Sequence, residues 1–212
     1  MTGCGLTLGM CAPQFKAMST FGPLCLSDFR GKWVIFFSHP GDFTPVCTTE
    51  FMAFSQAWSD FRDRNAQLLG LSVDSNASHL AWVMNIYRNT GVEIPFPIID
   101  DRSMHIARLY CMIHPGVSDV STVRAVFFID PDQKIRAILQ YPLTNGRNIQ
   151  EILRLLDALQ TTDKCKVATP ANWVPGEAVI VPPPQTWKGV QERESEGFAC
   201  IDWYLCFKNI DR

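Results

Sequence analysis

This 212-residue sequence predicts an α/β fold, a sheet with helices on both faces. Three observations carry that reading. Short apolar runs suited to buried strands alternate with segments whose apolar residues recur every three or four positions. A late pair of runs is joined by a tight turn, which reads as a hairpin. Hydrophobic residues make up 47% of the chain, enough for a core of the size this length can bury. Such alternation stacks helices on a sheet with right-handed crossovers.

The elements follow in order. Trp33-Val34-Ile35-Phe36-Phe37 is an apolar run that suits a buried strand. It runs into Ser38-His39-Pro40-Gly41-Asp42, which has loop chemistry. Phe51, Phe54, Trp58 and Phe61 then mark one face of a helix that ends near Arg64-Asn65. Residues 68–73 are a second buried strand. Asp74-Ser75-Asn76 offers caps for a helix whose apolar face is Leu80, Val83, Met84 and Tyr87, stopping near Gly91. A short strand over 97–100 and a short helix over 103–110 follow. Val126–Ile129 and Ile135–Tyr141 flank the turn Asp130-Pro131-Asp132, and Ile149, Ile152, Leu153, Leu156 and Leu159 face one side of the last strong helix. Beyond Thr162, Pro170, Pro175 and Pro182-Pro183-Pro184 break regular structure, which places a boundary near 165–170. The remainder reads as an extended arm with an apolar end, Phe198–Phe207, that makes no core of its own and packs on the main domain or on a partner subunit.

Charge narrows the function classes. Nineteen basic and 21 acidic residues leave a net charge of −2 without a basic stripe, so nucleic acid is not an expected partner. No apolar run approaches a membrane span, and residues 1–15 lack the basic start and apolar stretch of a signal peptide. A cytoplasmic location is therefore expected. Eight cysteines would be many for that compartment, but a chain of this size is not a disulfide scaffold. No C-x-x-C occurs, which counts against a zinc ribbon and against a dithiol reductase. Cys4, Cys11, Cys25, Cys111 and Cys165 read individually as small, buried, inert side chains.

Cys47 stands apart. It falls in the first turn of the helix that follows the 38–44 loop, where unpaired backbone N–H groups and the helix dipole favour a thiolate. A thiolate attacks electrophilic sulfur, carbonyl carbon or peroxide oxygen. Thr44, three residues earlier, brings a hydroxyl that suits a bound oxygen, and Pro40 and Pro45 stiffen the approach. From spacing alone, Thr44 serves equally as a helix cap and Cys47 as a packed thiol.

Pro40, Thr44 and Cys47 form P-x-x-x-T-x-x-C. The surrounding string FSHPGDFTPVCTTEF resembles the active-site segment of the peroxiredoxins, in the form of the peroxiredoxin 6, or one-cysteine, subfamily. The likeness continues through GLSVDSNASHLAW, IPFPIIDD, STVRAVFFIDPDQKIRAILQYP, GRNIQEILR and ANWVPGEAVIVPPP, nearly the whole chain. It implies a thioredoxin-like fold, a mixed sheet flanked by helices. The peroxidase domain would span 1–167 and a C-terminal arm 168–212, the arm serving dimerisation.

The resemblance also implies roles. Cys47 would be the peroxidatic cysteine, Thr44 the residue orienting the peroxide and Pro40 the shield of the site. Arg124 would stabilise the thiolate and the transition state, although an arginine beside a strand is ordinarily a surface residue. Arg147 would be a second arginine near the site, Glu50 a buttress of the arginine, and His39 a histidine beside the thiol. Hydrogen peroxide and small alkyl hydroperoxides would be the substrates. Thioredoxin, glutaredoxin or a low-molecular-weight thiol would be the reductant. No metal or organic cofactor is implied. Assembly would be a homodimer or a decamer.

Cys200-Ile201-Asp202-Trp203-Tyr204-Leu205-Cys206 resembles the tail of archaeal members. That likeness implies that Cys206 resolves Cys47 from a neighbouring subunit, with Cys200 auxiliary; direct reduction of the Cys47 sulfenic acid by an external thiol is the other route. The lipase serine of animal members is missing, because Lys32 stands in its place in Arg30-Gly31-Lys32-Trp33-Val34. Two other classes fit a reactive cysteine, a holdase or sensor in which Cys47 is a switch, and a dithiol reductase of related fold.

Overall fold

The computed structural model describes residues 5–193 and 195–210; Cys4 lies outside them. The chain runs β1 (Lys16–Ser19), β2 (Gly22–Cys25), β3 (Trp33–Ser38), α1 (Pro45–Gln56), α2 (Trp58–Asp63), β4 (Ala66–Ser72), α3 (Asn76–Thr90), β5 (Ile98–Asp100), α4 (His105–Leu109), β6 (Arg124–Ile129), β7 (Ile135–Tyr141), α5 (Ile149–Cys165), β8 (Val179–Val181), α6 (Trp187–Arg193), β9 (Ala199–Asp202) and β10 (Leu205–Lys208).

The first seven strands form a mixed sheet in the order β2-β1-β5-β4-β3-β6-β7. β3, β4 and β5 are parallel, whereas β6 runs antiparallel to β3 and β7 returns against β6. This is the predicted α/β architecture. The apolar runs of β3 and β6 are buried at every position, as strands covered on both faces must be.

The period-two alternation of β3 assigns its two faces. Val34 and Phe36 join a cluster with Phe15, Leu26, Ile106, Tyr110 and Phe127, the side covered by α4 and the N-terminal segment. Phe37 points the other way. It stacks on Phe54 at 4.3 Å and meets Phe51 edge-on at 5.4 Å, which docks α1. Gly70 of β4 lies beneath the same ring: a Cβ there would sit 3.1 Å from Phe51 Cζ.

The predicted helix over Phe51–Phe61 is two helices, broken at Ala57 (φ −90°, ψ 6°). The predicted face of α3 is the outer one. Leu80, Met84 and Tyr87 are about half exposed, and His79, Trp82 and Ile86 are buried instead. The reading missed the four-residue strands of the N-terminal hairpin.

By internal packing the chain divides between Ile149 and Gln150, which assigns nearly all of α5 to the C-terminal unit. That unit has its own small core of Ala158, Val167, Trp173 and Val179, against which Ile210 packs. It also has its own sheet, β8-β10-β9, and the expected arm from 168 onward shares its core with Ala158 and Val167, which precede it. A chain segment that brings its own helix and three short strands can bury apolar surface locally.

The cysteines also depart from the reading. Cys11 is exposed, Cys25 and Cys165 are half-buried, Cys111 is disulfide-bonded, and Cys200 is bonded to Cys206. Among the described residues no helix is long and apolar enough to cross a membrane.

Candidate active site

Cys47 sits three residues into α1, behind Thr44 at the N-cap and Pro45 at the first helical position. Proline there costs nothing, because its missing N–H would have no helical partner. The first intrahelical bond runs from Thr48 N–H to the Thr44 carbonyl, so Cys47 N–H belongs to the uncommitted N-terminal donors. Thr44 does not cap with its side chain. Its hydroxyl donates to the Gly41 carbonyl at 2.8 Å, which leaves the oxygen lone pairs as acceptors.

The Cys47 side chain is fully buried. Arg124, the first residue of β6, places Nη1 3.3 Å from Cys47 Sγ. The same nitrogen donates to Glu50 Oε2 at 2.7 Å, and Nε and Nη2 donate to the Leu143 carbonyl at 2.9 and 2.6 Å. Neither Arg124 nor Arg147 is a surface residue, since they are only 3% and 6% exposed.

Arg147 grips Glu50 as a fork: Nε to Oε1 at 2.8 Å and Nη2 to Oε2 at 2.7 Å, with its backbone N–H adding 2.9 Å to Oε1. Its Nη1 donates to the Ser38 and Ala125 carbonyls. Two buried guanidinium groups therefore share one carboxylate. The group carries one surplus positive charge, and that surplus faces Cys47 Sγ. In a water-excluded site such a charge favours the anionic thiolate.

Burial alone would raise the Glu50 carboxyl. The charge and hydrogen bonds of Arg147, with the charge of Arg124, outweigh it and hold the carboxyl below its ordinary value.

His39 and Pro40 lie in the loop between β3 and α1. The His39 ring is fully buried, 4.7 Å from Phe51 and stacked on Trp82 at 5.1 Å. Its Nε2 donates to Asp42 Oδ1 at 2.9 Å, and Nδ1 has no partner. Burial pushes His39 down against the raising effect of Asp42.

Asp42 was not singled out by the sequence reading. Burial pushes its carboxyl up, but hydrogen bonds from His39 and His79 win and hold it well below the usual carboxylate range. The one available signal was its place three residues after His39. His79 contacts both Asp42 oxygens. Among the described residues, His39, Asp42 and His79 are the one group of its kind whose ring nitrogens and carboxylate converge within 4.8 Å.

These shifts set the acid limb of stability. His39 is kept neutral, so stability falls once pH drops below the value the ring has when unfolded. Glu50 and Asp42 are held ionised, so their contribution is full above the ordinary carboxylate range and is lost as pH falls through it. The melting midpoint is expected to decline below about pH 6 and steeply below about pH 4. Calorimetry across that range checks it; a level midpoint would contradict the assignment.

The structure thus brings Cys47, Arg124, Glu50 and Arg147 into one hydrogen-bonded cluster, with Thr44 at its rim. Cys206 is bonded to Cys200 rather than to Cys47; Cys200 is exposed and Cys206 buried.

Comparison with known proteins adds an independent line. Residues 8–138 match the AhpC/TSA family, and residues 158–196 match the C-terminal domain of 1-Cys peroxiredoxin. A protein named peroxiredoxin 2 from Caldanaerobacter subterraneus subsp. tengcongensis is 64% identical over 209 residues, covering 98% of this chain and 95% of the relative. A peroxiredoxin from Methanosarcina mazei is 51% identical over 211 residues, covering 95% and 96%. Among solved structures, yeast mitochondrial 1-Cys peroxiredoxin superposes with a TM-score of 0.87 at 42% identity, covering 97% of this chain and all of that one. A cysteine-to-serine mutant of peroxiredoxin 6 from Arenicola marina gives 0.87 at 37%, covering 98% and 100%.

Proposed function

Because the chain belongs to the AhpC/TSA family of peroxiredoxins, which are thiol-dependent peroxidases, we propose that Cys47 is the residue that reduces hydrogen peroxide and small alkyl hydroperoxides. The observation that carries this reading is Arg124 Nη1 at 3.3 Å from a buried thiol, backed by the surplus positive charge of its cluster.

In this reading the Cys47 thiolate attacks one peroxide oxygen and the O–O bond breaks. The sulfur is oxidised to sulfenic acid, and the departing oxygen takes a proton and leaves as water or an alcohol. Negative charge moves from sulfur to the departing oxygen, where Arg124 and the Cys47 N–H meet it. Thr44 accepts from the peroxide hydroxyl, since its own proton is committed to Gly41. Pro40 shields the thiol. Glu50 and Arg147 hold Arg124 in place.

Recycling uses the C-terminal thiols. Cys206 condenses with the sulfenic acid and releases water, giving a disulfide to Cys47. Cys200 then attacks Cys206 and frees the Cys47 thiolate. The Cys200–Cys206 disulfide supports this order. The exposed Cys200 sulfur is the one an external thiol reaches, and thioredoxin, glutaredoxin or a low-molecular-weight thiol supplies the electrons. Domains 1–167 and 168–212 divide this labour between peroxide reduction and resolution. The chain works as a homodimer or a decamer, a reading supported by the half-exposed Leu80, Met84 and Tyr87 along α3.

One equivalent of hydrogen peroxide added to the fully reduced protein, followed by peptide-mapped mass spectrometry, tests the scheme. Oxygen or a disulfide is expected at Cys47, and none in Cys47→Ser. An untouched Cys47 would refute the peroxidatic assignment. A cycle in which Cys206→Ser still joins Cys47 to a tail cysteine would refute Cys206 as resolver.

A further inference from the structure

We propose that His79 is a positioning residue for the loop that leads into Cys47. Held as an imidazolium, it neutralises Asp42 and so fixes His39 as its neutral Nε2–H tautomer. The functional half of this inference rests on Cys47 being peroxidatic; the protonation half does not.

Hydrogen-bond polarity carries the argument. His79 Nε2 lies 3.1 Å from the Ile99 carbonyl, a group that only accepts, so Nε2 carries a proton. The other ring nitrogen, Nδ1, lies 2.9 and 3.1 Å from the two oxygens of Asp42. A neutral ring with its proton on Nε2 would aim a lone pair at that carboxylate. Both partners are nearly sealed from water, at 0% and 1% side-chain exposure. A buried carboxylate facing a lone pair is costly, and a proton on Nδ1 turns the contact into a charge-assisted pair. The low-lying Asp42 carboxyl agrees with placing that proton on His79 rather than on the acid.

His39 follows from Asp42. The ionised Oδ1 accepts from His39 Nε2 at 2.9 Å, so that nitrogen is the protonated one. His39 Nδ1 is buried and has no partner, and Phe51 and Trp82 pack on the ring without offering an acceptor. A second proton would be stranded there, so Nδ1 keeps its lone pair. The other charged groups that face this chain are Asp74, whose Oδ2 accepts from Asp42 N–H and the Ser72 hydroxyl, and Asp100, which accepts from Asn76 N–H. Arg102, largely exposed, pairs with Asp100 at 3.5 Å, so His79 is the one buried cation in the group.

The mechanical consequence is a pinned loop. Asp42 lies between Pro40 and Thr44, and its side chain is anchored to α3 through His79. The His39 backbone is held by Leu71 and Thr122. α3 thereby sets where the 38–44 loop delivers the start of α1.

Imidazole ¹⁵N NMR tests the inference in the intact protein, whose sequence holds four histidines. At neutral pH, His79 is expected to be protonated on both nitrogens and His39 on Nε2 alone. His79→Gln keeps a donor for the Ile99 carbonyl but carries no charge. In that variant Asp42 loses the cation that keeps it ionised, and because a second proton on His39 still has no acceptor, the Asp42 carboxyl is expected to titrate at higher pH than in the wild type. The pH–rate profile for peroxide consumption is expected to gain an acid-side ionisation that the wild type lacks. A neutral wild-type His79, or a variant whose rate drops uniformly with an unchanged profile, would overturn the proposal. So would stoichiometric Zn²⁺ uptake that displaces the Nδ1 proton. If His79→Gln does not fold, the wild-type spectrum decides alone. A wild-type protein that consumes no peroxide would refute the proposed function, and the His79 spectrum would still stand as its own test.

Discussion

Replacing Arg124 with leucine is expected to lower kcat/KM for hydrogen peroxide by about 100- to 1,000-fold, the range for loss of one preplaced donor to a developing charge. The variant removes the surplus cation and leaves Glu50 and Arg147 as a balanced pair. Folding suffers less. The half-buried Leu143 carbonyl loses both of its donors from Arg124, at about 1 kcal/mol, the low end for an acceptor that water can still partly reach. Stopped-flow peroxide consumption and thermal unfolding, measured together, separate the two effects. A rate within a few-fold of wild type would contradict the role given to Arg124.

Glu50→Gln is expected to show the opposite balance. It leaves two buried guanidinium groups without their shared counter-charge, and breaking a buried pair from one side costs about 3–5 kcal/mol. The melting midpoint should fall by on the order of 10 °C. Arg124 stays near the thiol but loses its 2.7 Å anchor to a carboxylate, so the rate should fall with a rise in KM as the donor wanders. A variant as stable as wild type would contradict the buried-triad reading.

What was legible in the chain follows from which interactions are local. The strand runs at 33–37 and 126–129 and the cap-and-proline start of α1 declare themselves within a few residues, and they place Cys47 in the first turn. Arg124 and Arg147 read as solvated side chains until the family likeness is weighed, because their shared partner Glu50 lies 74 and 97 positions away. The same distance effect explains α3. Its sequence offers two stripes, and the more apolar one, through Leu80, Met84 and Tyr87, predicts the buried face but lies half exposed. The buried stripe contains His79, whose polarity is satisfied by Asp42, 37 residues earlier. Nothing near His79 announces that partner. The short strands of the N-terminal hairpin and of the C-terminal sheet, three or four residues each, are too brief for alternation to register.

Gly70 is a missing shim. Phe51 follows Cys47 by four residues and so shares its face of α1. The ring rests on the bare backbone of β4, at a point where a methyl would stand 3.1 Å from its edge. The height of the helix above the sheet is therefore set by an atom that is not there. A side chain at position 70 would ask the Phe51 ring, on the same face of α1 as the thiol, to give by a few tenths of an ångström. The reactive sulfur is calibrated from the middle of the neighbouring strand, where no chemistry occurs.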